Sequence, residues 1–373
     1  MSNIDTTVSK QWATRPNDQR FLTVADLYAK VAARRAQCAV RDVALDAMKL
    51  ITTPDGAGIG LTDGREDFGM LNHWSFGQLC SRAGAPAGYL RTLPAELAQI
   101  PLQWSMETHE TQNAEGNDAK IMVRQNGETW VSAITSPTYG RIWDVDVVRA
   151  IKDNVDLDAW KVPSASYSGA DPLRATTLYA SDRDVFMFLV NEGHEIEADG
   201  EALNRGFYVW NSEVGSATFG IATFTYDRVC DNRIIWGQSS FKELTIRHTS
   251  GGPHRFVAQA VPQLAAYADS DTRREAATIK MAKATEIGKD RESVLTWMRQ
   301  RGFTMPTARK AYEAAEKDPR GYNPRTVWGM VQGVTDVAHD IVHTDARTDL
   351  ETKAGALLDT IAETIPAKEV RPL

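Results

Sequence analysis

FYVWNSEVG (207–215) and ATFGIATFTYDRVC (217–230) are the runs whose reading decides this fold. Both are aromatic and β-branched, residue types that fit a pleated, half-buried surface. RIIWG (233–237) and KELTIRH (242–248) continue them at the spacing of an antiparallel sheet. Polar residues interrupt the pattern at Asn211, Glu213, Arg228, Asp231, Asn232, Arg233, Arg247 and His248. A buried polar group left unpaired costs on the order of 1–3 kcal/mol, so this set must be mutually hydrogen-bonded, solvent-facing or functional.

Working outward, RATTLYA and VFMFLV flank Ser181-Asp182-Arg183-Asp184 as a second hairpin. IMVRQ and TWVSAIT flank Asn126-Gly127, a type I′ turn signal because both central positions need positive φ. Upstream, Thr23 caps a helix expected to run to about Lys49, and the glycines of 52–67 read as loop punctuation, since they match no phosphate-binding pattern. Ser75 is expected to cap a short helix ending at Gly84, with further helices opening at Pro86 and at Leu93-Pro94. Asp144 is expected to cap a helix over 145–155. From about Pro262 the pattern turns helical, and Val327, Met330, Val331 and Val334 form an apolar stripe, with Gly329 and Gly333 on an adjoining face. The expected class is α+β: antiparallel hairpins packed with helices, followed by a helical C-terminal region. The expected organisation is an arm over 1–20, a mixed core over 21–268 and helices over 269–373.

With 42% hydrophobic and 24% charged residues, the 373-residue chain reads as globular. No run approaches the length of a membrane span, and the polar first twenty residues lack a signal-peptide core, so a cytoplasmic protein is expected. Three scattered cysteines, Cys38, Cys80 and Cys230, suggest reduced thiols. The net charge of −7 argues against indiscriminate polyanion binding, yet residues 271–325 hold 13 Lys/Arg against 8 Asp/Glu. Walker, zincin, nucleophile-elbow, EF-hand and paired CxxC motifs are absent, which disfavours an enzyme of those classes. His248 and His254, like His339 and His343, lack a clear third ligand, so neither a metal nor any other cofactor is expected.

The polar set supports two readings. One is an internal ion-pair network that fixes strand register, because Arg–carboxylate geometry is exacting. In the other, Arg228, Arg233, Arg247 and Arg255 form a basic groove in which Tyr208, Trp210, Tyr226 and Trp236 stack on bases. Asn211, Asn232 and His248 would join that nucleic-acid surface, with Glu213 and Asp231 as its polar support.

WNSEVG, RVCDN and IRHT, in this order, resemble the phage/plasmid-like protein family built on domain of unknown function 932. LNHWSFGQLCSRAGAPAGYLRTLP (71–94) and VSAITSPTYGRIWDVDVV (131–148) fit the same pattern, so the resemblance covers about 65–270. It implies a mobile-element protein, and its association with phage recombination genes and single-stranded plasmid entry implies single-stranded DNA as partner. The expected fold is compatible with the phage annealing proteins of the RecT and Erf types, and a homo-oligomer is expected with them. An accessory protein acting on a host factor and a nucleic-acid-processing enzyme are the alternatives.

Overall fold

The computed structural model describes residues 16–53, 56, 58–109, 118–162, 176–198, 200–227, 232–234, 243–339, 341 and 344–362. It is an α+β fold with two sheets. The larger has eight strands, and its spine is β1 (Arg20–Phe21), β9 (Leu178–Ala180), β10 (Val185–Ala198), β11 (Glu201–Asn211), β12 (Phe219–Asp227) and β13 (Asn232–Ile234). Two strands lie off this path: β14 (Glu243–Ile246) pairs with β12, and β8 (Trp160–Lys161) with β10. All these pairs are antiparallel.

One face of this sheet is covered by α1 (Val24–Ala36), α5 (Asp144–Asn154) and a helical run from α6 (Gly252–Arg255) into α7 (Val261–Asp269). The two are joined by a π-helical turn over Phe256–Ala260, next to Pro262, whose missing N–H removes an α-helical bond. Phe207, Val209, Phe219 and Ile221 point into this layer. On the other face, Phe186, Phe188, Tyr208, Trp210 and Phe224 form a buried aromatic layer. Gly206 pairs with Phe224 and Gly220 with Trp210 across the strands, and a Cβ on either glycine would come within 2.0 Å of a ring atom. The rings therefore lie flat over bare backbone.

The second sheet runs β2 (Cys38–Ala44), β6 (Asp118–Asn126), β7 (Glu128–Thr135), β5 (Asp67–Leu71), β4 (Ile59–Thr62), β3 (Lys49–Thr52). The hairpin expected at Asn126-Gly127 forms, with Gly127 at φ 76°, but Asn126 pairs with Glu128, so the tip is centred on Gly127 and not on a two-residue turn. One pair, β5 with β7, is parallel, which the all-hairpin expectation did not include. Packed on one face are α2 (His73–Arg82), α3 (Ala87–Leu90) and α4 (Ala95–Thr108). Gln99 and Gln103 of α4 reach the free edge of β3: Gln99 Nε2 donates to Leu50 O (2.7 Å), Gln103 Nε2 to Met48 O (3.0 Å), and Gln103 Oε1 accepts from Leu50 N (2.7 Å).

Three local expectations change. The Thr23-capped helix ends at Ala36, because Cys38–Ala44 pairs with β6, and sheet hydrogen bonds override the helical pattern of Val31 and Val43. The glycine-rich 52–67 stretch contains β4, where Gly60 leaves room for Ile51 and Met70. The first helix of the 72–100 unit is capped by Asn72, with Ser75 as its reciprocal partner at the third position.

The C-terminal helices α8 (Arg273–Ala284), α9 (Arg291–Gln300), α10 (Met305–Lys317), α11 (Val327–His339) and α12 (Thr344–Ala362) form a bundle. It packs on the turn end of the β10–β11 hairpin through Ile196, Ala198 and Leu203. Between Asn191 and Glu195 the strand register shifts, and this bulge divides the hairpin into a half inside the main core and a half inside the bundle. The 327–334 stripe is fully buried, so its apolar face is satisfied within the chain. Gly333 lies against Ala311 O of α10, where a Cβ would sit at 2.0 Å. The basic excess of 271–325 is partly paired, as Arg273 with Asp271, Arg291 with Glu313 and Arg320 with Asp318.

Candidate functional site

The β11–β12 hairpin ends in a tight tip, Asn211–Ser216, where Gly215 takes φ 85° and donates its N–H to Ser212 O (3.2 Å). Elements far apart in sequence converge on this tip. Trp74 Nε1 and Gln78 Nε2 of α2 both donate to Val214 O, at 3.0 and 2.8 Å. Tyr139 OH donates to Ser212 O (3.2 Å) and Arg141 to Glu213 O. Gln78 Oε1 also accepts from Ile134 N of β7 (2.9 Å), so one side chain joins the tip to the second sheet.

Beneath the tip lies a buried ion network. Arg34 of α1 pairs with Asp144, lies 3.2 Å from Glu213 Oε1 and donates to Ser181 O. Glu213 Oε2 accepts from Asp144 N (3.1 Å), and Asn211 Nδ2 donates to Asp144 Oδ1 (2.6 Å) and Ile142 O (2.9 Å). Asp144 is therefore no helix cap: the N-cap position is Trp143, and the carboxylate is wholly buried in the network. Burial, reinforced by Glu213, pushes the Asp144 carboxyl above the ordinary range. For Arg34 burial acts to lower the pKa, but the Asp144 and Glu213 carboxylates outweigh it and the guanidinium is held charged.

His248 closes the far side. Its Nδ1 accepts from Ile142 N (3.2 Å), which leaves the neutral ring's proton on Nε2, and the ring stacks on Tyr139 at 5.0 Å and 8°. Burial, then Arg141, pushes its pKa down to about 4, so the imidazole is uncharged at neutral pH.

Around the tip runs a seam of half-buried arginine–aromatic pairs. Arg35 stands 3.8 Å from the Trp143 ring, Arg141 lies 5.4 Å from Trp143 and 5.1 Å from Tyr139, and Arg183 lies 5.6 Å from Trp74. Below it, burial and then Glu213 push the Cys38 thiol up to about 11, against Arg124, Arg34 and Arg35, which act to lower it. That places four charged side chains, two from α1, one from β6 and one from the hairpin tip, around one buried sulfur.

The polar set divides. Asn211, Glu213 and His248 meet at the tip. Arg247 is exposed beside them, and the half-buried Arg255 donates to Arg247 O (3.3 Å) and Thr249 Oγ1 (3.0 Å), with Thr249 bridged to Tyr139. Asn232 and Arg233 are elsewhere: they pair with Asp227 and Tyr226 at the other end of β12. At about 3.3 Å per residue that end lies roughly 25 Å from Phe219, so strand register separates them from Glu213. Arg228, Asp231 and Trp236 lie outside the described residues, as do the side chains of Asn232 and Arg233. Trp210 and Tyr208 belong to the buried aromatic layer, each 2% exposed, and neither ring is presented as an open platform. Arg34, Tyr139, Arg141, Trp143 and Arg183 were missed by the sequence reading. The one available signal was the alternation Tyr139-Gly140-Arg141-Ile142-Trp143, inside the second family-like block.

The architecture is thus an α+β protein whose buried charge network locks a hairpin tip between two sheets. The chain belongs to the family defined by the domain of unknown function (DUF932), whose model matches residues 167–359. That span begins later than the 65–270 resemblance and takes in most of the C-terminal bundle. No curated protein and no solved structure matches the chain. Among the described residues no helix is long and apolar enough to cross a membrane.

Proposed function

We propose that the protein binds single-stranded DNA along the arginine–aromatic seam around the hairpin tip, as a mobile-element protein of recombination or strand annealing. The observation that carries this reading is the gathering of Trp74, Tyr139 and Trp143, each half-buried and each within 6 Å of a guanidinium. A guanidinium stacked on a ring places phosphate-binding N–H edges beside a plane on which a base can stack. Arg247 and Arg255 extend the positive surface at the same end of the sheet. Rings recessed in a seam between two sheets reach unstacked bases and not the interior of a duplex, which favours single strands.

Fluorescence anisotropy with labelled oligonucleotides tests this. Neutralising about four phosphates predicts a roughly 50-fold loss of affinity between about 50 and 200 mM salt. No binding at the lower salt overturns the proposal. That outcome would favour an accessory protein, for which α4 offers exposed Leu97, Ile100 and Trp104 on one helical face.

A further inference from the structure

A second site lies away from the seam, on the outer side of the second sheet. There β4, β5 and helices α2 to α4 enclose an open chamber of about 200 Å³. Ile59, Leu71, Leu90 and Ala98 line it as buried apolar side chains, with Phe76 beside them, and Asn72 adds a polar group to the lining. His73 and Arg91 stand in the same lining, with no aspartate or glutamate among the described residues that form it.

Arg91 is held in place at this chamber. Its Nη2 donates to His73 O (2.9 Å), and its guanidinium lies 5.5 Å from the Phe76 ring. Gly77 makes room for it, since a Cβ there would come within 2.8 Å of Nη2. A guanidinium laid over the first turns of α2, with donor edges left for an incoming acceptor and apolar walls behind it, is a fixed cation at the entrance of a small apolar space. An apolar cavity of about 150 Å³ accommodates a benzene ring, so this chamber is large enough for one substituted ring and too small for a nucleotide. A planar guanidinium matches a carboxylate in bidentate fashion and gains nothing from a neutral apolar molecule.

We propose that this chamber binds a small monocarboxylate with a ring-sized apolar body, the body among Ile59, Leu71, Leu90 and Ala98 and the carboxylate on Arg91. The chamber and the seam share α2, which sends Trp74 and Gln78 to the hairpin tip and His73 and Phe76 to the chamber. The proposal does not depend on DNA binding.

Calorimetric titration of the full chain with benzoate and phenylacetate, against the neutral isosteres benzamide and phenylacetamide, tests it. The acids should bind with a Kd on the order of 1 mM and about tenfold more tightly than the amides. Arg91→Gln, an exposed position, should abolish that preference while leaving the weak amide binding intact. Ala98→Leu should fill the chamber and weaken acid and amide alike. Should the Ala98 variant fail to fold, the Arg91 comparison decides alone. Equal affinity for acid and amide in the unaltered protein, retention of the preference in Arg91→Gln, or no heat with either acid would each overturn the proposal.

Discussion

The two halves of the β10–β11 hairpin, divided by the bulge after Asn191, share apolar packing and differ in what is added to it. The half that ends in the 211–216 tip lies between two apolar layers and carries in addition buried Arg34, Asp144, Glu213 and Asn211, each tied to named partners in other elements. The half beyond the bulge rests on Ile196, Ala198 and Leu203 packed into an apolar bundle. Apolar packing tolerates many sequences of about the right volume. Directional bonds between buried charges tolerate few, because removing one partner leaves the other uncompensated. The polar half is accordingly where the geometry of the molecule is most narrowly specified, and it is also where the arginine–aromatic seam lies.

The sharpest way to break this contrast is Arg34→Met, which keeps most of the side-chain volume and strands two buried carboxylates. A loss of about 3–5 kcal/mol is expected in urea unfolding. A loss below about 1 kcal/mol would place the network among ordinary surface ion pairs, and the contrast would disappear.

His248 gives a pH test of the same half. Its folded pKa, pushed down to about 4, lies below the ordinary value of 6.5, so the unfolded chain binds the extra proton more readily. The stabilisation from the neutral ring is complete above pH 6.5 and drains away as the pH falls towards 4. Its full extent is about 3 kcal/mol. In His248→Gln the difference between stability at pH 7 and at pH 4.5 should shrink relative to the unaltered protein. An unchanged pH profile would show that His248 titrates normally.

On the bundle side, Gly333→Ala tests how tightly α10 and α11 are packed. Alanine favours the helix by about 1 kcal/mol. The new methyl, however, meets the Ala311 carbonyl of α10, a backbone atom that cannot rotate away. Overpacking should prevail, with a net loss of about 1–3 kcal/mol in thermal or urea unfolding. A stabilised variant would mean that α10 and α11 can separate at little cost.

Much of this was legible in sequence where the determinants are local. The hairpins at Asn126-Gly127 and at 181–184 and the buried stripe of α11 follow from turn chemistry and from period. The expectation for 38–44 failed because helical spacing of valines cannot reveal a strand partner such as β6, some eighty residues on. The candidate site was half legible. Asn211, Glu213 and His248 betrayed themselves as polar residues in apolar strands. Arg34 drew no reading and Asp144 looked like a helix cap, because the two lie 110 residues apart and only the fold brings them together. Asn232 and Arg233 sat in the same polar run as Asn211, yet strand length carried them to the opposite end of β12.

The glutamines of α4 on β3 bear on how this protein can associate. A strand offered to β3 finds Leu50 N and O already bonded, whereas among the described residues β2 has no strand on its outer side. At β3 the donor and the acceptor of one residue are both taken, whereas on β2 Arg35 donates to Cys38 O (3.2 Å) and Arg41 to Val40 O (3.4 Å), side chains that can swing aside. Two copies joined β2 to β2 would form a continuous sheet with a glutamine stopper at each end, and growth would halt at the pair. With both edges open, the same join could repeat without limit into a fibre. Two amide side chains on one helix would thus make strand-sharing through β2 self-terminating.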